Sequence, residues 1–144
     1  MKKLLLSLSV LTLAACSSTF PTNDPVPAGL TLDNICVKEA ERPRFKPFVP
    51  ALIKSLENKG LKTTIHIETV PVSCKYMISY SARNSGALIE QAKVRLYERQ
   101  SGTSFKSIGN VGYKNRSSEE HELASQNGLQ GQTDRIVAEL FKNY

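Results

Sequence analysis

Three cysteines, two histidines and two runs of basic side chains are the residues of this chain with chemistry to offer. Cys16 follows Leu13-Ala14-Ala15, so a large aliphatic residue and two small ones stand before a thiol. Small side chains let an extended backbone enter a narrow protease groove, and a cysteine sulfur is the nucleophile that takes up an added group. Cys36 and Cys74 form an even pair, which in an exported domain predicts a disulfide. No Cys-x-x-Cys is present, so the usual spacing of a redox pair is missing. The first histidine, His66, falls on the polar side of an expected strand and reads as a rim residue. The second lies in Glu119-Glu120-His121-Glu122-Leu123-Ala124-Ser125, one histidine short of a zinc-protease motif, and reads as part of a solvated charge run. There is no Gly-x-Ser-x-Gly and no glycine-rich phosphate loop. With no positioned base or nucleophile, the expectation is a non-enzymatic chain without cofactor or metal.

Basic residues cluster at Lys38, Arg42, Arg44 and Lys46, and again at Lys93, Arg95 and Arg99. They are either a binding patch for anionic envelope polymers such as lipid phosphates or a solvated basic surface. The chain carries 19 Lys+Arg against 13 Asp+Glu, a formal charge of +6.

The N-terminus has the layout of a secretory signal: Lys2 and Lys3, an apolar stretch from Leu4 to Leu13, then small residues. That stretch is too short for a membrane-spanning helix. With its Leu13-Ala14-Ala15-Cys16 box, the segment resembles a bacterial lipoprotein precursor over residues 1–16. The resemblance implies a diacylglyceryl thioether on Cys16 and cleavage after Ala15, so that 1–15 is a signal peptide. It also implies, in many Gram-negative species, a further acyl group on the freed amine. One acyl chain binds a bilayer marginally, at roughly 0.8 kcal/mol per buried CH₂, so two or three make the anchor firm. Ser17 stands where an Asp would favour the inner membrane, which leans toward the outer membrane and a periplasm-facing domain. Export also argues against nucleic acid as a partner.

At 144 residues, with 40% hydrophobic and 22% charged, the chain suits one domain. There is no second long apolar run and no internal repeat, which excludes polytopic membrane proteins and solenoids. Residues 16–29 hold three prolines and no periodicity, and are expected to be a lipidated cysteine followed by a flexible tether of roughly 40 Å reach. The domain is expected at 30–144. Leu30 to Lys38 predicts a strand. Phe45, Phe48, Val49, Leu52, Ile53 and Leu56 predict a helix, with Pro47 and Pro50 in its first turn and Gly60 just past its end. Alternation predicts strands at Leu61–Glu68, Cys74–Ala82, Leu88–Arg99 and Phe105–Tyr113, the last with a bulge or bend near Gly109 and Gly112. Asn115 to Glu122 reads as a loop, and a closing helix is secure from Thr133 to Asn143.

The order β-α-β-β-β-β-α predicts an α+β fold, an antiparallel sheet of four to five strands with two amphipathic helices on one face. This order is loosely similar to lipopolysaccharide-assembly and curli-secretion lipoproteins. The expected function is a membrane-anchored envelope lipoprotein that binds an envelope protein or an anionic glycolipid in an assembly or transport role. The alternative is a small periplasmic hydrolase or redox factor.

Overall fold

The computed structural model of the chain describes residues 18–144. The expected leader and the lipidation of Cys16 lie outside the described residues. Six strands and two helices follow in chain order: β1 (Thr22–Asp24), β2 (Ile35–Glu39), α1 (Phe48–Asn58), β3 (Thr63–Ile67), β4 (Tyr76–Ser85), β5 (Leu88–Ser101), β6 (Ser104–Lys114) and α2 (Ser118–Leu140). The fold is α+β. Among the described residues no helix is long and apolar enough to cross a membrane.

α1 forms where the apolar spacing predicts it. Pro47 caps it and Pro50 lies in the first turn, where a missing amide leaves no bond unmade. It ends as a Schellman turn. Gly60, at φ +83, donates to Glu57 O at 2.8 Å, and the Leu61 amide reaches Leu56 O at 3.1 Å. Its apolar stripe of Phe48, Leu52 and Leu56 meets Ile136 and Leu140 of α2. Both helices lie over Val37, Ile78, Val94, Leu96 and Val111 of the sheet, in one core.

The sheet differs from the expected antiparallel one. Its order is β1-β6-β5-β4-β2-β3, and it is mixed. β3 and β4 do not pair: β2 lies between them and is parallel to both. β2-α1-β3 is therefore a crossover unit, which parallel neighbours require. Thr63 and Tyr76 both stand level with Ile35, so the segment 68–75 must run back the length of β2 before β4 begins. The expected meander holds only for β4, β5 and β6.

The N-terminal segment also departs from expectation, being part of the fold rather than a free tether. Thr19 O accepts from the Lys114 amide at 2.9 Å, β1 pairs with β6, and Val26 is fully buried. The Phe20 ring lies 5.8 Å from that of Tyr113. Gly109 makes this docking possible: a Cβ there would sit 2.6 Å from Val26 Cγ2 and 3.2 Å from the Val26 nitrogen. The expected bulge is here, where the β5–β6 register shifts between Leu96 and Tyr97. Gly109→Ala is expected to cost about 1–3 kcal/mol through overpacking. Hydrogen exchange at Val26, whose amide donates to Leu140 O at 2.8 Å, checks it. Unchanged protection there would show that the segment is not seated on Gly109.

α2 starts earlier than expected. Ser117 Oγ accepts from the Glu120 amide at 3.1 Å, the first half of a Ser-x-x-Glu capping box. Gly128, at φ +67, breaks the helix into two pieces.

Candidate functional site

β2 ends at Glu39, but β4 continues to Ser85, paired there with β5 alone among the described residues. The connection 40–45 walls off the space left beside it. The result is a cavity of about 1040 Å³. Its floor is the sheet face turned away from the helices. Across four strands one row of that floor reads Ser81, Lys93, Gly112 and Thr22, and the next reads Arg83, Gln91 and Lys114. Lys38, Arg42 and Arg44 stand on the wall.

Six cations thus surround one cavity: Lys38, Arg42, Arg44, Arg83, Lys93 and Lys114. Three acids share it: Glu39, Glu41 and Glu68. None of the six cations makes an ion pair among the described residues; the pairs present are Lys75–Glu98, Arg135–Glu120 and Lys142–Glu139, all elsewhere. A concave wall of one sign focuses its field into the cleft and raises the local concentration of counter-charges. A cation and an anion 4 Å apart gain about 1 kcal/mol even at the dielectric of water. Six such groups suit an anion of several charges.

Tyr80 stands beneath this wall. Its ring lies 5.2 Å from that of Phe48, and its hydroxyl is buried without a hydrogen-bond partner among the described residues. Burial, and secondly the charge of Glu39, push its pKa up to about 12. The folded state therefore resists ionising Tyr80. The stability this gives is complete below the ordinary value of 10.0 and is lost as pH rises toward about 12. Tyr80→Phe is expected to raise stability by about 1 kcal/mol, since a buried unpaired hydroxyl is costly. It should also flatten the alkaline fall in stability above pH 10. Denaturant titration at neutral and alkaline pH checks both, and a destabilised variant would mean the hydroxyl has a partner.

The sequence-identified basic residues separate into four groups. Lys38, Arg42, Arg44 and Lys93 meet at the cavity. Arg95 lies in a smaller adjoining depression of about 150 Å³ with Ser79, Ser81 and Lys93. Lys46 is exposed just before α1, and does not line the cavity. Arg99 is a structural residue. It donates to Cys74 O and Pro71 O, both at 2.9 Å, and to Gly102 O, with its guanidinium 4.3 Å from the Phe105 ring centre. Arg83 and Lys114 are additions that sequence reasoning missed.

Cys36 and Cys74 form a disulfide, with Cα atoms 6.1 Å apart. It lies on the sheet face opposite the helices and pins the returning segment 68–75 to β2. His66 Nε2 is 3.7 Å from Cys74 Sγ, and the three side chains place possible ligand atoms within 4.8 Å of one another. As a disulfide the two sulfurs offer no thiolate, the form a metal takes. His121 is exposed on α2 and does not line the cavity.

Comparison with known proteins yields no matching family model, no matching curated protein and no matching solved structure.

Proposed function

We propose that this chain is a lipid-anchored, non-enzymatic binding module of the cell envelope, whose basic cavity takes an anionic partner. The observation that carries this reading is the set of six unpaired cations around one cavity. The Leu13-Ala14-Ala15-Cys16 box supports anchoring, and Ser17 favours the outer membrane with the domain facing the periplasm. An anionic glycolipid headgroup fits the chemistry better than a neutral apolar ligand, because six Lys and Arg side chains stand among the apolar residues, Phe45, Ala82 and Ala92, that also line the cavity. The redox alternative is disfavoured by access: Cys36 is 0% and Cys74 6% exposed, so the fold shields both sulfurs from an incoming thiolate.

The test is calorimetric titration of residues 18–144 with a bis-phosphorylated disaccharide, a soluble stand-in for a glycolipid headgroup. This stretch contains the whole core, both helices and the disulfide. Binding is expected to weaken steeply with salt, since exposed charges are screened over about 8 Å at physiological ionic strength. It should be abolished by Arg42→Glu with Arg44→Glu. Absence of binding at low salt, or binding indifferent to both arginines, would contradict the reading.

A further inference from the structure

Where the N-terminal segment joins the domain restricts which anion reaches the cavity. Thr19 is hydrogen-bonded to Lys114, a cavity residue, and Pro21 and Thr22 are themselves part of the lining. The chain therefore joins the domain at the rim of the cavity. Between Cys16 and Thr19 there are three peptide units, which cannot separate the two Cα atoms by more than about 11 Å. A lipid on Cys16 fixes that residue at headgroup level. The rim is then held within little more than one Debye length, about 8 Å, of the leaflet surface. The opposite edge of the sheet, β3 with exposed Ile65 and Ile67, is five strand spacings away, roughly 24 Å.

We propose that the cavity faces the bilayer that carries the anchor and binds the phosphodiester headgroups of anionic phospholipids in that same leaflet. This rests on the lipid-anchored reading above and specifies the partner. The cations Lys38, Lys93, Lys114, Arg42, Arg44 and Arg83 replace the counter-ions of the headgroups. No covalent step is involved. The short link supplies a high effective concentration, so each contact can be weak and still be occupied. The domain is thereby oriented: the cavity turns to the lipid, and the two helices, on the other face of the sheet, turn toward the aqueous space. A long tether would have left that orientation free.

The experiment uses the lipidated full-length mature chain in vesicles of phosphatidylcholine alone, or with phosphatidylglycerol added. Lysine acylation is followed residue by residue by mass spectrometry. Lys38, Lys93 and Lys114 are expected to be protected only in the phosphatidylglycerol vesicles. Lys54 and Lys59, exposed at α1, should label equally in both. Arg42→Glu with Arg44→Glu lies on an exposed connection and leaves the core untouched. It should abolish the protection and weaken vesicle flotation of residues 18–144 by at least about 30-fold, at about tenfold per 1.4 kcal/mol and near 1 kcal/mol for each removed cation, the two added carboxylates deepening the loss. Equal labelling of Lys93 and Lys114 in both vesicles would overturn the proposal, as would protection shared by Lys54 and Lys59. If the soluble disaccharide still binds in that case, the broader reading survives and only the membrane-facing placement fails.

Discussion

Removing the Cys36–Cys74 disulfide, by reductant or by the Cys36→Ala/Cys74→Ala pair, lowers unfolding free energy by about 4 kcal/mol, the chain-entropy value for a loop of this size. The cross-link closes a 38-residue separation. It also ties down the part of the fold with the least local support. Segment 68–75 must cross back over β2 without regular structure, fastened by the disulfide and by Arg99 holding Pro71 O and Cys74 O. A domain of this size has a net stability of about 5–15 kcal/mol, so the loss is a large share of the whole. Urea unfolding with and without reductant measures it. A change below about 1 kcal/mol, under the typical range of about 2–4 kcal/mol, would show the crossing to be self-supporting.

Glu120→Ala is expected to cost about 3 kcal/mol, the lower end for breaking a buried ion pair from one side. Glu120 is 4% exposed. Its carboxylate accepts from the Tyr113 hydroxyl at 2.5 Å and pairs with Arg135. Gln132 completes the cluster, donating to Tyr113 Oη at 2.7 Å and exchanging two bonds with the backbone of Ile89. The cluster fastens both pieces of α2 to β5 and β6. Alanine removes the acceptor from a buried hydroxyl and the partner from Arg135. Because Arg135 keeps 27% of its side-chain surface, water compensates part of the loss, and the lower figure applies. Burial, then the bond to Glu120, also holds the Tyr113 hydroxyl protonated far above its ordinary range. Glu120→Gln keeps an acceptor and should cost less than alanine. Thermal or urea unfolding of the two variants checks the order, and equal losses would show that charge pairing, not hydroxyl acceptance, dominates.

α1 was legible in the sequence because helical spacing and burial coincide there. The four later strands were legible as strands for a similar reason: alternation marks the period. Their partners were not legible. Period-2 alternation says that two faces differ, but not which strand lies alongside. β2 inserting between β3 and β4 depends on a crossover that no local pattern encodes. β3 shows the cost of that ambiguity: its alternating Ile65 and Ile67 are 49% and 61% exposed on an edge strand. The front of α2 was hidden for a different reason. Its buried positions include Glu120 and Gln132, polar residues satisfied by hydrogen bonds, so no apolar stripe announces them. The Ser117-x-x-Glu120 box was the signal available. The proline-rich N-terminal segment read as a tether because its seat is made by a missing side chain, at Gly109 far along the chain. At the site, Lys38, Arg42 and Arg44 are neighbours in sequence, and Lys93 falls on the polar side of its strand. Arg83 and Lys114 join them only through register across β4, β5 and β6.

The claim beneath these readings is that a lipid on Cys16 holds the cationic cavity against a membrane. Mass spectrometry of the N-terminal peptide from envelope-derived protein tests it most directly. The account predicts a peptide beginning at Cys16 and carrying a diacylglyceryl thioether. A bare Cys16 thiol, or a peptide that still continues into Ala15 and Ala14, would contradict it.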